Sequence, residues 1–115
     1  MYADLTCARS VNITETPLVD LSDFANLEFV LEGIWLERNP ALATLDGLSI
    51  SEARTIDILF NDNLINLDAL TSISELEGGT IYCNAQLQPA EIEAVLAQIP
   101  GGDLVEVVNN GEGPC

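Results

Sequence analysis

A pattern of aliphatic residues and asparagines recurs along this chain at an offset of about 22 residues. Residues 34–48 can be laid on residues 56–70 so that Asn39 meets Asn61, and every Leu or Ile at an inward-type position then matches. A third copy begins at Ile81. One unit of this size cannot bury both of its own faces, so the recurrence predicts coils that stack on one another.

The spacing of apolar residues changes within each copy. Ile34 and Leu36 alternate with outward residues, which predicts a short strand with one buried face. Beyond Leu36, an apolar residue or an Asn stands at every third position, so the chain leaves the strand and turns a corner. Backbone groups in such a buried turn need partners, and an inward amide can both donate and accept. We predict a structural amide ladder, not a catalytic group, formed by Asn39, Asn61, Asn84 and Asn110.

Stacked copies of this kind predict a β-rich α/β fold, a solenoid of short parallel strands. The composition agrees, because 48% of the residues are hydrophobic but only 5% are aromatic, which favours a layered aliphatic core. A helix predicted over residues 89–99 caps the C-terminal end, and Gly78-Gly79 is predicted to form a turn. We expect one solenoid domain over the whole chain, with these parts: a lead-in at 1–7, repeats of about 22–24 residues at 8–87, and a helix-strand cap at 88–115.

The run Leu36-x-x-Asn39-x-x-Leu42-x-x-Leu45-x-x-Leu48 resembles leucine-rich repeats. More narrowly, it is similar to the receptor L-domain branch, which occurs in secreted and surface proteins of bacteria and lower eukaryotes. The resemblance covers residues 8–115. It implies a right-handed solenoid, an extracellular or cell-surface location, and a partner surface on the exposed sheet.

The outward positions of the predicted strands give the candidate binding face. Trp and Tyr are enriched among residues that dominate binding energy, and an outward Leu requires cover. The alternative is that these side chains are ordinary cross-strand neighbours that shield the sheet. The candidate residues are Trp35, Glu37, Asp57, Leu59, Phe60, Thr80 and Tyr82.

Charge and residue types restrict the chemistry. The chain has 19 acidic and three basic residues, a net charge of −16, and no Lys or His. Such a field repels phosphate backbones, so nucleic-acid binding is not expected, and no apolar run is long enough for membrane insertion. Without Lys or His the usual bases for nucleophilic catalysis are missing. We expect no enzyme, no cofactor and no metal, and we assign Asp46 and Asp68 to turn hydrogen bonding instead of calcium binding.

The three cysteines are Cys7, Cys83 and Cys115, an odd number. A Cys83–Cys115 disulfide that ties down the terminal cap is one hypothesis; Cys7 is then unpaired, or bonded to sequence upstream. The first residues lack a secretory signal pattern, and we expect a mature fragment of a longer chain.

The leading hypothesis is an extracellular or cell-surface interaction module that binds protein or glycan through the sheet face. A structural spacer or capping fragment within a larger surface protein is the alternative, and a small acidic hydrolase is a third, weaker one. The sequence leaves the ligand and the oligomeric state open.

Overall fold

The computed structural model describes residues 6–111 of the chain. One α-helix, α1 (Pro89–Leu96), lies in this part, together with 3-10 turns at Ser22–Phe24, Asp68–Ser72 and Gly102–Leu104. The strands of the same part are short: β1 (Cys7–Ala8), β2 (Val11–Thr14), β3 (Phe29–Val30), β4 (Gly33–Glu37), β5 (Thr55–Leu59), β6 (Gly78–Tyr82) and β7 (Val105–Val108).

The main sheet contains five of these strands in the order β2-β4-β5-β6-β7, and every pair is parallel. Neighbours in space therefore follow one another along the chain, except that β3 is left out. The register pairs Leu36 with Ile58 and Ile58 with Ile81, so the inward aliphatic positions of three strands form one row. The predicted α/β class with short parallel strands is confirmed.

A second, smaller sheet pairs β1 with β3, also in parallel. Its first strand begins at Cys7, within the segment that the sequence predicts as a lead-in. Two-residue strands are too short to produce an alternating pattern, so the sequence carries no periodicity by which this sheet could be found.

The hydrophobic core is a single cluster of aliphatic side chains behind the main sheet. After β4 and β5 every third residue enters it, as the spacing predicts, and Leu42, Leu64 and the equivalent Leu87 after β6 are each 0% exposed. The larger side chains that are fully buried include Leu21, Leu27, Leu36, Leu42, Leu45, Ile50, Ile56, Ile58, Leu64, Leu67, Leu70 and Leu76. None is aromatic, which agrees with the layered aliphatic core expected from composition.

Helix α1 packs its apolar stripe, which includes Ile92 and Val95, against the core and contacts the 3-10 turn at Asp68–Ser72. Pro89 opens its first turn, where a missing backbone N–H has no cost. The helix ends at Leu96, three residues before the predicted end, although Ile99 is still buried. The chain then reverses at Gly101, whose φ of 83° is left-handed.

The prediction of a turn at Gly78-Gly79 is wrong, because both residues belong to β6. Gly79 takes the inward position that Ile56 occupies on β5, with a φ of 141°. A Cβ atom at Gly79 would overlap the carbonyl oxygen of Ile56. The glycine pair is therefore needed for the approach of two strands and not for a reversal of the chain.

Candidate binding face

The outward side chains of the main sheet form two rows across the strands. The register gives Asn12, Trp35, Asp57 and Thr80 in one row and Thr14, Glu37, Leu59 and Tyr82 in the other. Strand β7 extends these rows with Glu106 and Val108, which the sequence did not nominate. We call these ten outward side chains the sheet face. Trp35 is 38% exposed and Val108 39%, so large apolar side chains are open to solvent at both sides of it.

A connected cluster of side chains crosses three strands of the sheet face. The Trp35 Nε1–H donates a hydrogen bond to Glu37 Oε1 at 2.8 Å, and Arg38 Nη1 donates to Glu37 Oε2 at 2.6 Å. The Arg38 guanidinium lies 4.9 Å above the centre of the Phe60 ring, and Phe60 meets the Tyr82 ring edge-on at 5.5 Å. Four predicted face residues are therefore brought together, through an arginine that the sequence did not single out.

Asp57 lies between Trp35 and Thr80 in the register and is half-buried. Burial raises the pKa of its carboxyl, while a hydrogen bond from the Thr80 backbone N–H acts in the opposite direction. Asp57 takes part in neither of the ion pairs found among residues 6–111, which join Arg38 to Glu37 and Arg54 to Glu77. A partly desolvated carboxylate thus stands at the centre of the sheet face without an ion pair to any described residue.

One residue after each strand of the main sheet adopts a left-handed backbone conformation. The five φ values fall between 53° and 56°, and none of these residues is glycine. They are Glu15, Arg38, Phe60, Cys83 and Asn109. Such a conformation costs a non-glycine residue about 1–2 kcal/mol, so the surrounding structure must stabilise it. It turns the chain at the strand end, and it leaves Arg38 and Phe60 at the rim of the sheet face.

The residue that follows each left-handed corner points inward, and from β4 onward this residue is an asparagine. Asn39, Asn61 and Asn84 are 0% exposed, and Asn110 is 2% exposed. The Oδ1 atom of Asn61 accepts from both the backbone N–H and the Nδ2 of Asn39, each at 3.1 Å. The Nδ2 of Asn61 donates to the carbonyl of Leu36 at 3.0 Å and to Asn84 Oδ1 at 3.2 Å.

The same contacts repeat along the buried series of Asn39, Asn61, Asn84 and Asn110, which we call the amide column. Asn84 donates from its backbone N–H and its Nδ2 to Asn110 Oδ1, at 3.1 and 2.9 Å. At the other end Thr16 stands in place of an Asn, and both its backbone N–H and its Oγ1 donate to Asn39 Oδ1, at 3.0 and 2.8 Å. The four asparagines thus act structurally and hold the strand ends in register.

An open groove of about 700 Å³ adjoins the rim of the sheet face at the C-terminal ends of the strands. Its lining combines apolar and charged side chains: Glu15, Pro17, Arg38, Pro40, Phe60 and Asp62. It is continuous with the Arg38–Phe60 pair, so the cluster on the sheet face and this groove form one surface.

The turns at Asp46 and Asp68 are closed differently from the prediction. The backbone N–H of Asp46 donates to Thr44 Oγ1, and that of Asp68 donates to Asn66 Oδ1. The Asp68 side chain instead stands beside Glu91 of α1, whose Oε2 is buried without a well-formed hydrogen bond among the described residues. Sharing a proton with Asp68 raises the pKa of Glu91, and burial and repulsion between the two carboxylates act in the same direction.

Residues 6–111 contain no group of three or more cysteine or carboxylate side chains placed to hold a metal ion. No helix in this part has the length and apolar character that a membrane crossing needs. Cys7 is exposed and free, and Cys83 is buried at a corner after β6. The Cys83–Cys115 disulfide stays a prediction, because Cys115 lies outside the described residues.

Comparison with known proteins finds no matching family model, no matching curated protein and no matching solved structure.

Proposed function

We propose that the chain is a right-handed solenoid of leucine-rich-repeat type, similar to a receptor L domain, with α1 as its C-terminal cap. Three observations support this class. The sequence recurs every 22–23 residues, the parallel strands follow one another in chain order, and from β4 onward one buried asparagine after each strand bonds to the next. A column of this kind requires that successive copies present the same residue at the same corner.

We further propose that the protein is an extracellular or cell-surface interaction module that binds protein or glycan through the sheet face. The observation that carries this proposal is the side-chain cluster of Trp35, Glu37, Phe60 and Tyr82, held together on the solvent side of the sheet. Aromatic side chains fixed by neighbours present contact area at a low entropic cost, which suits recognition. Their rim of carboxylates supplies hydrogen-bond acceptors.

A binding role is favoured over catalysis by the residue types. The whole chain lacks Lys and His, so a nucleophile on the sheet face would have no usual base beside it. The rival function is a structural spacer. The two functions can be distinguished by measurement, because the role of a spacer does not depend on exposed aromatic side chains.

The test is a glycan array together with a panel of purified surface proteins, probed with the wild-type chain and with Trp35→Ala and Tyr82→Ala. A ligand of the sheet face should lose at least about tenfold in affinity in each variant, as expected for a central aromatic contact. Ile65→Ala is the matched control, because Ile65 is 50% exposed but lies in a loop away from the sheet.

A ligand that binds both aromatic variants as tightly as the wild type would remove the sheet face from the proposal. Equal losses in Ile65→Ala would show a general effect of truncating an exposed apolar side chain. If no member of either collection binds the wild-type chain, the spacer becomes the better description.

A further inference from the structure

We propose that the natural occupant of the sheet face is a basic segment of a partner protein, which places an Arg or Lys side chain against Trp35 and Asp57. This inference rests on the proposed binding function and selects one ligand chemistry from the two that were left open. It is carried by the charge and the aromatic side chains of the sheet face, together with the way the chain holds its own Arg38.

The charge of the sheet face has one sign. Its outward positions include three carboxylates, Glu37, Asp57 and Glu106, and no basic residue. The protein has only three arginines in total, and two of them, Arg9 and Arg54, precede strands and so lie at the opposite strand ends. The third, Arg38, is at the rim. A surface of this kind attracts a cationic partner and repels an anionic one.

Arg38 shows how a guanidinium group is held at the rim of the sheet face. Its positive group is paired with Glu37 Oε2 at 2.6 Å and stacked on the Phe60 ring at 4.9 Å. A carboxylate on one side and an aromatic ring on the other is the arrangement that favours a planar cation, by hydrogen bonding and by cation–π attraction. The chain therefore contains one occupied example of the proposed contact.

A second position with the same components lies further along the sheet face and is not filled by the chain. Trp35 is the register partner of Asp57, its ring is partly exposed, and the Asp57 carboxylate is half-buried without an ion pair among residues 6–111. An incoming cation would offset the desolvation of Asp57 and use the face of the Trp35 ring. The hydroxyl groups of a neutral glycan can donate hydrogen bonds to the Asp57 carboxylate, but they bring no positive charge to offset its desolvation.

Trp35 makes the inference easy to test, because it is the only tryptophan in the chain. The probes are three capped ten-residue peptides, in which Ser alternates with Arg, Lys or Glu, and one neutral oligosaccharide, chitohexaose. Tryptophan fluorescence and calorimetry would be recorded for each titration at low salt and at 0.3 M NaCl. The Arg peptide should shift the emission and bind most tightly, the Lys peptide less tightly, and the Glu peptide not at all.

Two single-charge variants separate a specific site from a general attraction to a protein of net charge −16. Asp57→Asn keeps the shape of the side chain on the sheet face, and Glu93→Gln removes one charge from an exposed position on α1. We expect a loss of about three- to tenfold in affinity for the Arg peptide in Asp57→Asn and less than about twofold in Glu93→Gln.

Equal affinities in the two variants, or no emission shift with either basic peptide, would overturn the inference. If chitohexaose shifts the Trp35 emission while the Arg peptide does not, the sheet face still binds a ligand and only the ligand chemistry proposed here is wrong. If neither ligand shifts it and the array ligands also ignore Trp35, the binding function itself fails.

Discussion

The amide column takes one side chain from the end of each main-sheet strand and the sheet face takes two from each strand, yet the first set is buried and the second faces solvent. Asn61 carries a donor and an acceptor in one group, so it can bond to Asn39 on one side and Asn84 on the other. A carboxylate has acceptors only. Asp57, whose register partners are Trp35 and Thr80, therefore has no copy of itself to bond with, and two adjacent carboxylates would need a proton or a cation from elsewhere.

This difference explains why the asparagines of the amide column are buried and the carboxylates of the sheet face are not. A group that can hydrogen-bond to a copy of itself can be removed from water where such copies lie side by side. The hydrogen bonds of the amide column then run without a break from Thr16 to Asn110. The carboxylates of the sheet face stay open to solvent for the complementary reason. We infer that paired strands bury the side chains that can hydrogen-bond to copies of themselves. The side chains that cannot do so stay exposed and are available to bind a partner.

The strongest test places a carboxylate in the amide column. In Asn61→Asp the second oxygen would face the Leu36 carbonyl and Asn84 Oδ1, both acceptors, in a fully buried place. We expect a loss of about 3–5 kcal/mol in the free energy of unfolding at pH 7, measured by denaturant titration. Since burial should raise the pKa of the new carboxyl, the loss should be smallest below the unfolded pKa of about 3.9 and should grow as pH rises.

Asn63→Asp is the matched control, because Asn63 is exposed and its Nδ2 bonds to the Pro40 carbonyl. It should lose less than about 1 kcal/mol. Should Asn61→Asp fail to fold, Asn61→Leu removes the charge and still leaves two backbone groups without partners, at about 1–3 kcal/mol each. A Leu variant within about 1 kcal/mol of the wild type would show that the column contributes little.

A smaller effect is expected at the end of the column. Thr16→Val keeps the shape of the side chain and the backbone bond to Asn39 but removes the Oγ1–H donor. The expected loss is about 0.5–1.5 kcal/mol in the free energy of unfolding. Thr14→Val, two residues earlier on the outward face, is the control. The Thr14 hydroxyl donates to Asn12 Oδ1 outside the column, so equal losses in both variants would mean that the Thr16 hydroxyl contributes no more than a hydroxyl on the sheet face.

The smallest effect concerns Asp68 and Glu91, a pair of carboxyls that meets where the 3-10 turn at Asp68–Ser72 contacts α1. Because the pKa of Glu91 is raised above its ordinary value of 4.5, its protonated form stabilises the folded state fully below that pH, and this contribution is lost as pH rises through the folded pKa. Glu91→Gln supplies a permanent donor, so its Tm should exceed the wild-type Tm at pH 7 and the difference should vanish in acid.

Glu93→Gln on the same helix controls for the removal of one negative charge. A gain in Tm that is equal in the two variants, or that does not depend on pH, would contradict a shared proton between Glu91 and Asp68. Thermal unfolding followed by circular dichroism between pH 4 and pH 8 is sufficient for the comparison.

The sequence by itself determined the parts that repeat. Period two followed by period three predicted the inward rows of the strands, and the recurrence of Asn39, Asn61 and Asn84 predicted the residues that bond inside the corners. These predictions succeeded because parallel pairing of successive strands converts an offset along the chain into adjacency in space, so a one-dimensional pattern carries three-dimensional information.

Only the tertiary structure decided the features that depend on contacts outside the pattern. The left-handed corners that follow the five main-sheet strands are occupied by five different residue types, so no residue preference predicted them. The glycine pair at residues 78–79 has the composition of a turn but lies in a strand, because Gly79 must pass the Ile56 backbone. The meeting of Glu91 with Asp68 likewise required the docked helix. Local preference and spacing limit the conformations and contacts that a residue can adopt. The close approach of backbone and side chains that are distant in the sequence selects one of them.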